Sequence, residues 1–221
     1  MNQDKNFLNR RRFIKQSSIF AITAGSAITF PVNSFANSSI NTFNNDLNII
    51  GPKTGFSPQV GTLDSMLNWM RHVILMPVQG MSIEDLDYIY DENSNSIGAM
   101  LLHLAATERF YQIHTFEGKK WGNWSKEDIK EWSVASGLGE EARKTIKGHE
   151  LGYYLDKLNK VRENSLLELA KKDDDWLLTV DDDWPWGPTN NYCKWFHVCE
   201  HESNHNGQIK WVKSRLPSQS K

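Results

Sequence analysis

The sequence predicts an all-α protein, a four-helix bundle with short extra helices in its connections. Two observations carry this expectation. Four segments repeat apolar residues at helical spacing, and no stretch alternates apolar and polar residues convincingly with period two. The segments between them are rich in Gly, Pro, Asn, Asp and Ser, the residues that break regular structure.

Val60, Leu63, Leu67, Met70 and Ile74 define the first helix, and Pro77 closes it. After a turn at Gly80, Ser82 is an N-cap for a short helix reaching Tyr90, with Glu84 and Asp85 suited to its first turn. Ile97, Met100, Leu104, Thr107 and Tyr111 define a second long helix to about residue 116. Residues 118–124 form an aromatic loop, and Ser125 opens another short helix. Residues 140–172 read as one continuous helix, with Leu151, Leu155, Leu158, Val161, Ser165 and Leu169 on one face. Residues 173–189 read as a loop with two Asp-Asp-Asp-Trp stretches. Such acidic runs are solvated loops in most proteins, and a calcium site lacks the regular ligand and Gly spacing here. The last helix runs from about residue 190 to 216, before Pro217.

Residues 1–36 read as an export signal. Asn9-Arg10-Arg11-Arg12-Phe13-Ile14-Lys15 resembles the twin-arginine pattern, a weak apolar run follows, and Ser34-Phe35-Ala36 suits a signal peptidase. An ordinary Sec signal and an N-terminal anchor are the alternatives. Cleavage after Ala36 removes five of the 25 basic and one of the 27 acidic residues, leaving a net charge of −6 on the exported chain. Residues 37–57 then form a flexible linker and residues 58–217 one domain. The expected location is periplasmic or extracellular, with no membrane anchor after cleavage.

Composition excludes several classes. The 221 residues are 24% charged and 39% hydrophobic, which fits neither a disordered chain nor a membrane bundle. A net charge of −2 advertises no nucleic-acid surface. Cys193 and Cys199 are six residues apart in a predicted helix, about 9 Å of rise, too far for a disulfide.

Chemistry concentrates in the last helix. His201 and His205 are four residues apart, a step that rises about 6 Å and turns about 40°, so both imidazoles leave one face. Such a pair suits a zinc-like ion. His197 extends the stripe, but three histidines in one row span about 12 Å and cannot share one ion. His201-Glu202-Ser203-Asn204-His205 fits the H-E-x-x-H zinc peptidase pattern, with Glu202 as general base. That pattern needs a third ligand downstream, and residues 206–221 contain no His, Asp or Glu. The third ligand is therefore sought upstream, and His103 on the second long helix is the best candidate. His114 lies about 16 Å further along the same helix and cannot reach the same ion. Glu202 flanks the metal face, which suits a general base or a partner to a ligand's free ring nitrogen. Glu200, His197 and Trp195 are expected around the site, and Trp184, Trp186 and Trp195 to wall an apolar pocket or pack in the core.

Two separated motifs resemble one family. Met81-Ser82-Ile83-Glu84-Asp85-Leu86-Asp87 with Asn95-Ser96-Ile97-Gly98-Ala99-Met100-Leu101-Leu102-His103-Leu104-Ala105 resembles the first half of DinB-like proteins. The ending from His197 to Ile209 resembles their closing motif, with Asn206 where Arg is usual. The resemblance implies a four-helix bundle holding a divalent metal through His103, His201 and His205. It also implies kinship to thiol-dependent S-transferases. The expected function is a metal-dependent hydrolase or thiol-dependent transferase acting on a small molecule, or alternatively a non-catalytic metal- or ligand-binding protein. Three imidazoles suit zinc and nickel, and they also accept iron or copper. A homodimer is open.

Overall fold

In the computed structural model, residues 46–217 are described. The expected signal at residues 1–36, its expected cleavage site and residues 37–45 of the expected linker lie outside them. Four long helices form the bundle: α1 (Pro58–Leu75), α3 (Ile97–Thr115), α6 (Leu151–Leu169) and α8 (Asn191–Lys213). Four short helices sit in the connections: α2 (Ile83–Asp87), α4 (Lys126–Gly137), α5 (Gly139–Thr145) and α7 (Asp174–Leu178). A 3₁₀ turn, Met76–Val78, follows α1. The fold is all-α, as the periodicities predicted.

Local signals start these helices. Ser96 accepts a hydrogen bond from the Ala99 amide, and Ser125 from that of Asp128. Ser82 and Asp85 form a reciprocal capping box at α2. Asn190 caps α8 by accepting from the Cys193 amide at 2.8 Å.

Helix α3 packs against α6 and α8, and α1 against α8. At the α3–α6 contact, a Cβ on Gly98 would lie 2.6 Å from the ring of Tyr154, so glycine sets how closely the helices approach. The core falls into two apolar clusters. One is built on Met100, Leu104, Leu158 and Ile209, the other on Leu63, Leu67, Leu169 and Trp195.

Three expectations need correction. The single helix over residues 140–172 is two, because the chain turns between α5 and α6 through Ile146 and through Gly148 at φ 78°. A positive φ suits glycine and ends a helix. The loop at 173–189 contains helix α7 and a two-residue antiparallel ribbon, β1 (Val180–Asp181) with β2 (Thr189–Asn190). Its acidic residues are neither merely solvated nor arranged around calcium. Asp173 caps α7, and Asp174 Oδ1 accepts from the Ser57 hydroxyl (2.6 Å) and the Gln59 amide (2.9 Å), closing the start of α1. Asp181 pairs with Lys194 and Asp183 with Lys120.

The expected flexible linker is anchored over its described part, residues 46–57. Gly51 donates to Ser65, and Lys53 pairs with Asp64 at 2.6 Å. No helix among the described residues is long and apolar enough to cross a membrane.

Candidate metal centre

Helices α3 and α8 cross with His103 facing His201 and His205. The two ring pairs formed by His103 have centroids 4.9 and 4.8 Å apart, and the His201–His205 pair 4.7 Å, close to an equilateral triangle. One nitrogen of each lies within 4.8 Å of the others. Nε2 of His103 is 2.8 Å from Nε2 of His201. The i, i+4 spacing on α8 aligns two of them, and only the crossing with α3 brings in the third.

The donor set fits a divalent transition metal. Nδ1 of His103 meets the carbonyl of Ala135 on α4 at 3.0 Å, which fixes its tautomer and leaves Nε2 bare. Burial holds the His103 imidazolium below its ordinary value, against the two carbonyls beside it. Burial, then His103, His205 and His197, pushes His201 down to about 3. Burial and His103 push His205 down to about 4. Near pH 7 all three are neutral imidazoles, the form that ligates metal. Three neutral nitrogens with no fourth protein ligand among the described residues leave coordination positions open.

His197 stands one turn before His201, its ring centroid 5.3 Å away. Its Nδ1 lies 2.8 Å from the Tyr111 hydroxyl on α3, and its Nε2 is 3.9 Å from Glu200. Burial lowers its pKa, with Glu200 opposing. Trp186, 57% exposed, sets its edge on His197 at 5.0 Å and packs against buried Trp184. These residues wall one side of the centre. A cavity of about 470 Å³ lies between the turn at residues 93–95 and α8, near the centre in sequence but lined by none of the three histidines. Its lining includes Asn95, Met100, Asn204, Gln208 and Trp211, and no charged residue.

Trp195 is corrected: it is fully buried, stacks on Phe116, and donates its indole N–H to Thr115, so it belongs to the core. Glu200 is exposed beside His197. Glu202 is corrected as an accessible base. It is 1% exposed and sits in a buried ion quartet with one member from each long helix: Arg71, Glu108, Arg162 and Glu202. Burial raises the Glu108 carboxyl, but Arg162 and Arg71 outweigh it and hold it below the carboxylate range. Sequence reasoning missed this quartet and Tyr111. His114 is apart from the centre, bonded to the Lys119 carbonyl and the Trp124 indole, as its distance along α3 required.

The profile of the family described as mycothiol-S-transferase matches residues 62–216. No curated protein matches. Among the solved structures that are similar are two proteins. One is an uncharacterized protein from Clostridium difficile 630, with 15% identity and TM-score 0.54, covering 71% of this chain and 97% of its own. The other is a protein from Streptococcus pneumoniae, with 13% identity and TM-score 0.53, covering 71% and 92%. At these identities the structures support the fold alone. The family match spans both motifs that resembled DinB-like proteins and all three converging histidines, and the chain belongs to the mycothiol-S-transferase family.

Proposed function

We propose that the chain is a metal-dependent S-transferase that joins a low-molecular-weight thiol to a small neutral electrophile. The observation that carries this reading is the convergence of three neutral imidazoles, His103, His201 and His205, in a chain of this family. A divalent ion held there supplies Lewis acidity, which favours the thiolate of a thiol placed beside it. His197 is the proton acceptor. The role requires the tautomer in which Nδ1–H donates to the Tyr111 oxygen 2.8 Å away, so that Nε2 is bare to take the thiol proton, and burial favours the neutral ring. The sulfur forms a bond to the electrophilic carbon, and the leaving group departs with the bonding electrons. The proton on Nε2 then passes to that leaving group. The amide-lined cavity receives the acceptor, and a charged acceptor would find no counter-ion there.

The test is turnover of metal-loaded protein with a panel of thiols against neutral and carboxylate-bearing electrophiles. Neutral acceptors are expected to react and charged ones to lag. His197→Gln should retain metal and lose about 10²–10⁴-fold in rate, the range for a positioned acid–base group. Unchanged turnover in that variant removes His197 from the role.

Hydrolysis by the same centre is the second reading. Arg10-Arg11-Arg12 and the run to Ala36 favour it. We propose export by the twin-arginine route, and low-molecular-weight thiols are mainly cytoplasmic whereas water is everywhere. Turnover that persists without thiol selects hydrolysis. N-terminal sequencing of exported protein should begin at Asn37, and an intact Met1 rejects the proposed cleavage.

A further inference from the structure

One member of the ion quartet, Glu202, stands between two of the three histidines in sequence, directly after His201 and three residues before His205. Glu108 uses both carboxylate oxygens: Oε1 accepts from Arg162 (2.7 Å) and the Ser165 hydroxyl (2.7 Å), and Oε2 from Arg71 (2.8 Å) and Arg162 (3.1 Å). Glu202 does not. Its Oε1 accepts three N–H groups, from Arg71 Nε (3.0 Å), Arg71 Nη2 (2.7 Å) and Arg162 Nη2 (2.9 Å). Its Oε2 is buried and has no partner. The two arginines therefore clamp one end of the carboxylate and leave one acceptor over.

A matching donor lies one helical turn on. His205 is 5% exposed, and its Nδ1 is buried without a partner. Nδ1 of His103 is anchored on Ala135 and that of His197 on Tyr111. An imidazole that offers Nε2 to an ion carries its proton on Nδ1, so His205 would bury a bare N–H. An unmet buried donor is unfavourable because it has lost its water without gaining an acceptor. Residues three apart on a helix face each other, which places Glu202 beside His205. Asn206 also has a buried, unpartnered oxygen, but adjacent residues point about 100° apart.

We propose that Glu202 is a positioning residue for the metal centre: its Oε2 takes the Nδ1–H of His205, directly or through one bound water, and fixes the tautomer that presents Nε2 to the ion. This rests on the reading of His103, His201 and His205 as ligands. Glu202 thereby ties the grip on the metal to Arg71 on α1 and Arg162 on α6, neither of which adjoins the ion. A carboxylate behind a ligating imidazole raises its basicity and sets its orientation.

The test is long-range ¹H–¹⁵N correlation on histidine-labelled full-length protein, zinc-loaded and zinc-free, with zinc affinity measured in parallel. His205 is expected to carry its proton on Nδ1 in both states. Glu202→Gln should move that proton's resonance upfield and weaken zinc binding about 10–100-fold. Asn206→Ala should leave both readouts at the wild-type values. An Nε2–H tautomer in the zinc-free wild type overturns the proposal, as does a Glu202→Gln protein with unchanged resonance and affinity. If Glu202→Gln fails to fold, the wild-type tautomer alone decides. A wild type that takes up no zinc defeats the ligand reading instead, and the zinc-free spectrum still reports on Glu202.

Discussion

Three imidazoles need only neutrality and proximity to hold an ion, and each has both. Burial removes water from His201 and His205, and each charged neighbour would repel the next, so protonation is pushed to about 3 and about 4. His103→Ala or His201→Ala should therefore abolish stoichiometric metal binding while helicity by circular dichroism stays near wild type. The bundle's apolar clusters do not depend on the ion. His114→Ala should keep full metal, because its ring is committed to Lys119 and Trp124. Elemental analysis decides, and full metal in His201→Ala removes that residue from the ligand set. The same scale separates Glu202 from His197. Both were visible in the motif, but one is buried and clamped by arginines while the other is partly exposed beside His201.

At the scale of elements, the α3–α8 crossing makes the centre, and the α3–α6 contact holds α3 in place. Gly98 lies at that contact, with the buried Tyr154 ring where a side chain would go. Gly98→Ala should destabilise the protein by about 1–3 kcal/mol through overpacking, despite the better helix propensity of alanine. Urea denaturation measures this, and a stabilised variant would show that Tyr154 yields. His103 is five residues on, so metal affinity should also fall if α3 shifts. The helix boundaries follow local chemistry at Ser82, Ser96 and Ser125, whose side chains accept amide hydrogen bonds wherever the bundle places them. The start of α1 does so only in part. Ser57 and Pro58 mark it locally, but the carboxylate that meets its first amides is Asp174, more than a hundred residues away.

Across the whole molecule, the quartet of Arg71, Glu108, Arg162 and Glu202 links all four long helices through buried ion pairs that sum to zero charge. Removing one partner leaves an uncompensated buried charge, a loss of about 3–5 kcal/mol. Glu108→Gln should lose that much at neutral pH. The pH dependence follows from the depressed Glu108 carboxyl. Its contribution is fully present above its unfolded value of 4.5 and is lost as pH falls through the lower folded value. Urea midpoints of the wild type should therefore drop below about pH 4.5, with a shallower drop in Glu108→Gln. Parallel acid profiles would reject Glu108 as a source of the slope.

The sequence by itself determined the helical class, most helix starts, and the pairing of His201 with His205. These depend on period and cap chemistry, which are local. It also held a trace of the quartet that went unread. Arg71, Glu108, Arg162 and Glu202 each lie four residues beyond a buried apolar position (Leu67, Leu104, Leu158 and Val198), so two positive and two negative charges fall on inward faces. The break at Ile146 to Gly148 was hidden because helical periodicity resumes in phase with the residues before it. Only the tertiary structure decided what Glu202 and Trp195 do. Both lie on the buried side of α8, and a helix face has no function until its neighbour is known. The bundle set two arginines against Glu202 and a phenylalanine against Trp195, and it placed His197, with Trp186 on its edge, beside His201.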